Sequence, residues 1–303
     1  MATFRGAIFD VDGVLVDSPH EKAWREALRE LMETDWSGLR RRTTWTPDAF
    51  TALVYQQHVS GKPRMTGARS ALEHFGVPDV DNYVGTYALR KQDMIERLLA
   101  AGDFTAYPDA LRFIIGAKDA GLIVAAASSS RNAAQFLARV ELGEFARVQR
   151  ISSPSVRPDM SLLELFDVDV SGRDFARGKP DPEMFLTAAL ELGVDPTEAV
   201  VVEDAAVGVQ AAKAGGMAAI GIARADDADL LASAGADLVV TSLDDVDSPA
   251  LVRGRLRTSD AAGSHTRRDE RTAIGPSVAD PPSHPRWRDV RSWTSNPESG
   301  GQP

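Results

Sequence analysis

Two aspartates with one residue between them, Asp10 and Asp12, follow the apolar run 7–9 and precede Gly13. If this run is a β-strand, side chains at positions i and i+2 point the same way, so both carboxylates face one site. One carboxylate can then attack an electrophile while the other gives or takes a proton. Acidic residues also end strands as turn formers, so the pair by itself leaves both interpretations open.

A second acidic pair, Glu203 and Asp204, follows the apolar run 199–202. Neighbouring carboxylates at a strand end are suitable ligands for a hard cation such as Mg²⁺, which prefers oxygen. The simpler alternative is that Asp204 caps the N-terminus of a helix over 205–214. The two roles are compatible.

Positions that could bind an anion occur at two further places. Lys179 stands between a glycine and a proline just before a predicted helix, where it could neutralise a phosphate or nearby carboxylates. Ser128, Ser129 and Ser130 follow the apolar run 122–127 and precede another predicted helix, where hydroxyls and helix amides can bind an anion. A solvated lysine and serine N-caps are the alternatives.

Strands and helices of suitable length alternate along residues 1–253, which predicts an α/β fold: a Rossmann-like three-layer α/β/α core with a parallel sheet. All the candidate side chains above fall at the carboxyl ends of predicted strands, where open α/β sheets bind ligands. Residues 19–102 are helix-rich and interrupt the alternation, so we expect an inserted helical cap domain over that edge. The core then comprises 1–18 and 103–253.

The last segment, 254–303, has a different composition. It contains eight arginines, no lysine, six acidic residues and six of the seventeen prolines, with few large apolar residues. Such a segment buries too little apolar surface to offset its ordering entropy, and we expect a disordered tail.

The whole chain has 303 residues and a net charge of −10, from 34 basic and 44 acidic residues. This acidity disfavours general nucleic-acid binding. The absence of cysteine excludes disulfides, thiolate metal sites and cysteine nucleophiles. We find no secretory peptide and no apolar run of membrane-spanning length, and expect a cytoplasmic monomer with no membrane partner.

Taken together, these motifs resemble the haloacid dehalogenase-like superfamily of phosphotransferases over about residues 1–245. The stretch 9–18 is similar to the first motif of that superfamily, and 201–212 is similar to the fourth; Ser128 and Lys179 stand where the second and third motifs occur. The resemblance implies that Asp10 is a nucleophile forming an aspartyl-phosphate and that Asp12 is a general acid and base.

The resemblance also implies a Mg²⁺ cofactor. Its ligands would be the Asp10 side chain, the Asp12 backbone carbonyl and Asp204, with Glu203 beside them. Ser128 would bond the phosphoryl oxygens, and Lys179 would offset negative charge.

Within the superfamily, the cap segment is most similar to the β-phosphoglucomutase group. This resemblance implies a small phosphorylated substrate and a set of substrate-binding residues: His20, Arg64, Lys91, Ser129, Arg131 and Asn132. Solvated charges and a helix-start histidine are the plainer alternatives for the cap residues. Two segments depart from the group: 36–46, with three consecutive arginines, and 146–165, which we interpret as an inserted surface loop.

Four functions follow in order of preference. The first is Mg²⁺-dependent phosphoryl transfer on a phosphosugar, converting β-glucose 1-phosphate to glucose 6-phosphate. The second is a phosphatase with the same core, acting on a sugar phosphate or other small phosphomonoester. A non-catalytic phosphosugar-binding protein and a dehalogenase come last, because neither needs all of the acidic and basic residues present.

Overall fold

The computed structural model describes residues 3–259, and its centre is a six-stranded parallel sheet in the order β5-β4-β1-β6-β7-β8. A separate antiparallel pair joins β2 and β3. The strands of the described residues are β1 (Gly6–Phe9), β2 (Val16–Asp17), β3 (Thr105–Ala106), β4 (Ile123–Ala126), β5 (Val168–Asp169), β6 (Ala199–Glu203), β7 (Ala218–Ile222) and β8 (Leu238–Val240).

Helices follow most of the strands and form the outer layers. Over the same residues, they are α1 (His20–Glu33), α2 (Ser37–Arg40), α3 (Ala52–His58), α4 (Arg64–His74), α5 (Val84–Ala100), α6 (Pro108–Asp119), α7 (Ala133–Arg139), α8 (Leu142–Gln149), α9 (Glu183–Leu192), α10 (Ala206–Ala214), α11 (Ala228–Ser233) and α12 (Ser248–Leu251). None of these helices combines the length and apolar character needed to cross a membrane.

The central strands are buried on both faces, as their apolar runs predict. Along β1, Ala7 and Phe9 belong to the hydrophobic cluster that includes α6, α7 and α8, whereas Ile8 belongs to the cluster formed with α9, α10 and α11. Successive side chains of a strand point to opposite faces, so one short strand serves both clusters. This arrangement confirms the three-layer α/β/α core.

Helices α1 to α5 form the insertion between β2 and β3, and they have a hydrophobic cluster of their own. Helices α1 and α5 pack together, and the Tyr87 hydroxyl donates a hydrogen bond of 2.9 Å to the Trp24 carbonyl. The β2–β3 pair is formed by the two chain segments that lead into and out of this insertion. The fold class predicted from the sequence, including its inserted helical cap, is therefore confirmed.

The two departing segments are both packed into the protein. Trp36, Leu39 and Trp45, which flank the three arginines, are buried in the insertion. Residues 146–149 belong to α8, and Met160 and Leu162 are buried in the core cluster. The expected surface loop is thus a helix end followed by an irregular segment with buried apolar side chains.

The predicted tail lies outside the described residues except for 254–259. These six residues pair with the preceding segment: Asp247 N donates to the Arg257 carbonyl at 3.0 Å, and Ser259 N donates to the Asp245 carbonyl at 2.7 Å. Leu256 packs against the core cluster. Residues 254–259 therefore pack against the core.

Gly143 tests the packing of the irregular segment against α8. A Cβ atom on Gly143 would lie 2.0 Å from the backbone oxygen of Pro158, so we expect Gly143→Ala to lower the free energy of unfolding by about 2 kcal/mol or more. The matched control is Gly116→Ala, in α6, where a Cβ meets nothing within 4 Å; it should raise the same quantity by roughly 0.5–1 kcal/mol. Urea unfolding measures both, and equal stability of the two variants would contradict this packing.

Candidate active site

Three neighbouring strands of the sheet, β4, β1 and β6, end at one edge and place polar side chains there. Asp10 follows β1, Ser128 lies two residues beyond β4, and Glu203 is the last residue of β6. Because parallel strands direct their carboxyl ends to the same edge, residues more than a hundred positions apart meet at this point.

Lys179 joins two of these strand ends. Its Nζ lies 2.5 Å from Asp10 Oδ1 and also donates to Glu203 Oε1, and its side chain is fully buried. Burial alone would lower the pKa of Lys179, but the carboxylates of Asp10 and Glu203 outweigh it and raise that pKa. The lysine is therefore a fixed cation, and Glu203 is also held from its other oxygen by Ala205 N at 2.9 Å.

One lysine does not balance the acidic groups around it. Burial raises the pKa of Asp10 to about 7, helped by the charges of Glu203 and Asp12 and opposed by Lys179. Burial also raises the pKa of Asp204, with Glu203 and Asp10 adding to the effect. Ionising all these carboxyl groups together requires more positive charge than Lys179 supplies.

The arrangement of these oxygens fits Mg²⁺. The carboxyl groups of Asp10 and Asp204 are buried at this edge, and Asp204 lies against Gly13, where a Cβ would be 2.0 Å from Asp204 Oδ2. Gly13 has a φ of +87°, which favours glycine. Among residues 3–259 no three His, Cys, Asp or Glu side chains form a metal-binding group. Mg²⁺ typically takes one or two carboxylates and completes its shell with waters and substrate oxygens.

Asp12 is fixed by contacts from two directions. Ser128 Oγ donates to Asp12 Oδ2 at 3.1 Å, and His20 Nε2 lies 3.3 Å from Asp12 Oδ1. Burial raises the pKa of Asp12, but contact with His20 and Ser18 outweighs it and lowers that pKa to about 2. The carboxylate is thus available as a proton acceptor.

His20 is the centre of a short hydrogen-bonded chain where the cap meets the core. Its Nδ1 lies 3.1 Å from Lys91 Nζ, and its Nε2 lies 2.9 Å from Ser130 Oγ. When Lys91 is protonated it can only donate, so Nδ1 then accepts and Nε2 carries the ring proton toward Ser130 and Asp12. Both His20 and Lys91 are buried, which disfavours the plainer alternative of a solvated lysine.

The remaining predicted residues surround a cavity of about 590 Å³ between the cap and the core. Arg64 begins α4 and is half-buried; burial and the nearby charge of Arg131 lower its pKa. Arg131 is exposed and forms an ion pair with Asp174. Ser129 Oγ donates to the Gly61 carbonyl in the cap at 3.2 Å.

The side chain of Asn132 is already hydrogen-bonded to another part of the protein. It is buried, and its side-chain amide pairs with that of Gln92 from the cap, with N···O distances of 3.2 and 3.4 Å. It lines the cavity, but its side chain also links α5 to the loop before α7. The structure therefore adds a cap–core contact to the substrate-binding role that the sequence suggests.

The helix-capping roles that the sequence offered as alternatives are not found for Asp204 and only partly found for the serines. Ala205 is the N-cap residue of α10, and no side chain caps that helix, so Asp204 does not act as the predicted cap. Ser130 Oγ does accept from Asn132 N at 3.2 Å, ahead of α7.

Two further residues line the cavity: Tyr55, which sequence reasoning missed, and Ser130, which it named only as one of three serines that could bind an anion or cap a helix. Tyr55 lies in α3, a helix that was not predicted, although Thr51 caps it by accepting from Val54 N at 3.2 Å. A threonine ahead of a short polar helix is the signal that could have found it. Ser130 gave no signal beyond its place in a run of three serines.

Replacing Lys179 tests the buried charge arrangement. Lys179→Met leaves the carboxylates of Asp10 and Glu203 without their shared cation, so we expect the free energy of unfolding at pH 7.5 to fall by about 3 kcal/mol. Lys213→Met, which removes an exposed ion pair with Asp237, should change it by less than about 1 kcal/mol. Denaturant unfolding of both variants measures this difference. Similar small decreases in the free energy of unfolding for the two variants would contradict the prediction.

Lys91 gives a pH-dependent prediction. Burial lowers its pKa from 10.5 to about 7, with Arg64 acting in the same direction and Asp12 opposing. Between these two values the unfolded chain holds a proton that the folded chain lacks, so the lysine costs stability at low pH and the cost fades as pH rises.

We therefore expect Lys91→Met to be more stable than the parent chain near pH 6.5, by about 1 kcal/mol or more. The difference should shrink steadily between pH 7 and 10.5. Thermal unfolding across this range measures it, and a difference that grows with pH would refute the assignment.

Comparison with known proteins places this site in a family. The family model for haloacid dehalogenase-like hydrolases matches residues 4–216. A β-phosphoglucomutase of Mycobacterium bovis is 36% identical over 258 residues, covering 79% of this chain and 90% of the relative. The validoxylamine A 7′-phosphate phosphatase of Streptomyces hygroscopicus subsp. limoneus is 30% identical, covering 81% and 97%.

A solved structure is similar throughout the same region. The archaeal β-phosphoglucomutase of Pyrococcus sp. strain ST 04 superposes with a TM-score of 0.58 at 28% identity, over 82% of this chain and 97% of that one. The residues matched by the family model include the strand ends that carry Asp10, Ser128 and Glu203. The chain belongs to the haloacid dehalogenase-like hydrolases and is an enzyme of that family.

Proposed function

We propose that this enzyme transfers a phosphoryl group of a small phosphosugar through an aspartyl-phosphate on Asp10, with Mg²⁺ as its cofactor. The observation that carries the proposal is that Asp10 and Ser128 line one cavity while the buried Lys179 Nζ lies 2.5 Å from Asp10 Oδ1. Phosphoryl transfer depends on positioning and charge neutralisation more than on elaborate covalent chemistry, and this site supplies both.

In the first half-reaction, an Asp10 carboxylate oxygen attacks phosphorus and the bond from phosphorus to the leaving oxygen breaks. Asp12, held by Ser128 and His20, carries one proton between the two half-reactions: it takes the proton of the acceptor hydroxyl when the phosphoryl group leaves Asp10, and it returns that proton to the leaving oxygen when Asp10 is phosphorylated. Ser128 donates to a phosphoryl oxygen, and Lys179 limits the repulsion between the attacking carboxylate and the phosphate. Mg²⁺, held by Asp10, Asp204 and the Asp12 carbonyl, would neutralise the remaining charge.

For the acceptor, we propose that the cavity takes a sugar phosphate whose second phosphate is bound by Arg64. A half-buried arginine whose pKa is lowered by burial and by Arg131 gains from a dianionic ligand. Relatives named β-phosphoglucomutase support conversion of β-glucose 1-phosphate to glucose 6-phosphate as the specific reaction. Residues 19–102 would act as the cap that excludes water, on a core formed by 1–18 and 103–253.

The second candidate is a phosphatase, in which water replaces the sugar acceptor. One relative is named as a phosphatase of a phosphorylated pseudo-sugar, and another, from Escherichia coli, as a fructose-1-phosphate phosphatase at 29% identity. Arg131, at the cavity, is already paired with Asp174 and so is less available for a second phosphate. This observation keeps hydrolysis as a real alternative.

A panel of phosphosugars that measures isomerisation and phosphate release together separates the two. With Mg²⁺, β-glucose 1-phosphate and a glucose bisphosphate primer, we expect glucose 6-phosphate to form with little inorganic phosphate. Stoichiometric phosphate without isomerisation would reject the mutase, and no turnover on any member would reject both. Asp10→Asn should abolish either activity, because an amide oxygen is a poor nucleophile.

The variant Arg64→Ala gives a second way to distinguish a mutase from a phosphatase. In a mutase it should reduce turnover by about 100-fold or more, since the bisphosphate loses its charged anchor. In a phosphatase of small monophosphates the loss should stay within roughly tenfold. Arg157→Ala is the matched control, because Arg157 is an exposed arginine paired with Glu164 outside the cavity.

A further inference from the structure

Arg224 makes an unusually complete set of contacts that the proposed chemistry does not use. It lies two residues beyond β7, and its side chain is only 15% exposed. Its Nε donates to the Gly13 carbonyl at 3.2 Å, and its Nη2 donates to the Val14 carbonyl at 3.1 Å. Its Nη1 donates to Asp109 Oδ2 at 2.9 Å.

The guanidinium itself is held in place from two sides. It stacks at 3.8 Å from the ring centroid of Tyr107. Asp109, its ionic partner, is buried and also accepts from Leu243 N at 2.8 Å. A planar guanidinium fixed in this way directs its Nε donor and one Nη2 donor side by side toward the two carbonyls.

Those carbonyls belong to the turn that follows the nucleophile. Gly13 N donates to the Val16 carbonyl at 2.8 Å, and Val16 N donates to the Val11 carbonyl at 3.0 Å, so the turn is closed on itself. Asp12 lies inside this turn. Gly13 also lies directly against the Asp204 carboxylate, so a shift of the turn changes the separation of Asp12 and Asp204.

The same arginine also lies at the base of the cap connection. Val14 comes just before β2, and Tyr107 comes just after β3, while Tyr107 N donates to the Leu15 carbonyl at 3.0 Å. Arg224 therefore touches both chain segments that connect the core to the cap, at the point where they leave the sheet.

We propose that Arg224 is a positioning residue: by holding the Gly13 and Val14 carbonyls, it fixes the turn that carries Asp12 beside Asp204 and anchors both segments of the cap connection. Its effects on turnover and on Mg²⁺ binding rest on the proposed function, whereas its effect on the turn does not. The residue touches neither substrate nor phosphate; it acts through the backbone.

The experiment compares three full-length variants. Arg224→Met removes all three hydrogen bonds, and Arg224→Lys keeps the charge but not the planar fork. Arg112→Met is the matched control, because Arg112, on α6, forms a bidentate ion pair with Asp244 away from the cavity. Each is measured for kcat and KM, for Mg²⁺ binding by calorimetry with the metal alone, and for amide exchange of residues 11–18.

For Arg224→Met we expect kcat to fall roughly 10- to 100-fold, with KM within about threefold of the parent value. The Mg²⁺ dissociation constant should rise, and amides of 11–18 should exchange faster. Arg224→Lys should fall between this variant and the parent, and Arg112→Met should match the parent in all of these measurements.

The proposal is overturned if Arg224→Met has the same kcat, Mg²⁺ affinity and amide exchange rates as Arg112→Met. If the methionine variant does not fold, Arg224→Lys is judged by the same comparison. Faster exchange throughout the chain with an unchanged Mg²⁺ affinity would also overturn it, because that pattern indicates a general loss of stability. If the parent chain turns over no phosphosugar, the proposed function fails, and the amide exchange measurements still decide the role of Arg224 in the turn.

Discussion

The ammonium of Lys179, fully buried between Asp10 and Glu203, is the interaction on which the rest of the site depends. A buried ion pair seldom adds much net stability, because desolvation of the charges offsets their attraction. Its value here is positional: it holds Asp10 at the end of β1 and, under the proposed function, brings positive charge to the place where a phosphate dianion must approach. Glu203 gives the lysine a second anchor, so Asp10 need not hold it alone.

The sheet order explains how so few strands assemble the site. β1 lies between β4 and β6, so the residues after these three strands are neighbours regardless of their separation along the chain. Apolar runs that end in polar residues are visible in the sequence, and parallel strands force their ends together. For this reason Asp10, Ser128 and Glu203 could be placed in one site from the sequence alone, along with the three-layer core and the inserted helices.

Other features depend on contacts that no local pattern reports. Arg224 and Lys91 look like ordinary solvated charges in the sequence, and their burial follows from packing against Tyr107 and Trp24, respectively. The amide pair of Asn132 with Gln92 likewise joins elements that meet only after the cap has docked. The segment after α8 was expected to be a surface loop because it contains prolines and arginines, yet its spaced apolar residues pack into the core.

Asp12 is contacted both by the core and by the cap, so it connects the proposed chemistry to the packing of these two parts. Ser128 holds one of its oxygens from the core, and His20 approaches the other from the first helix of the cap. His20 is in turn oriented by Lys91 on α5 and by Ser130 on the core side. The Asp12 carboxylate is therefore restrained by one contact from the core and one from the cap. Under the proposed mechanism, a base held in this way is best oriented when cap and core are together, which favours transfer to a bound acceptor over loss of the phosphoryl group to solvent.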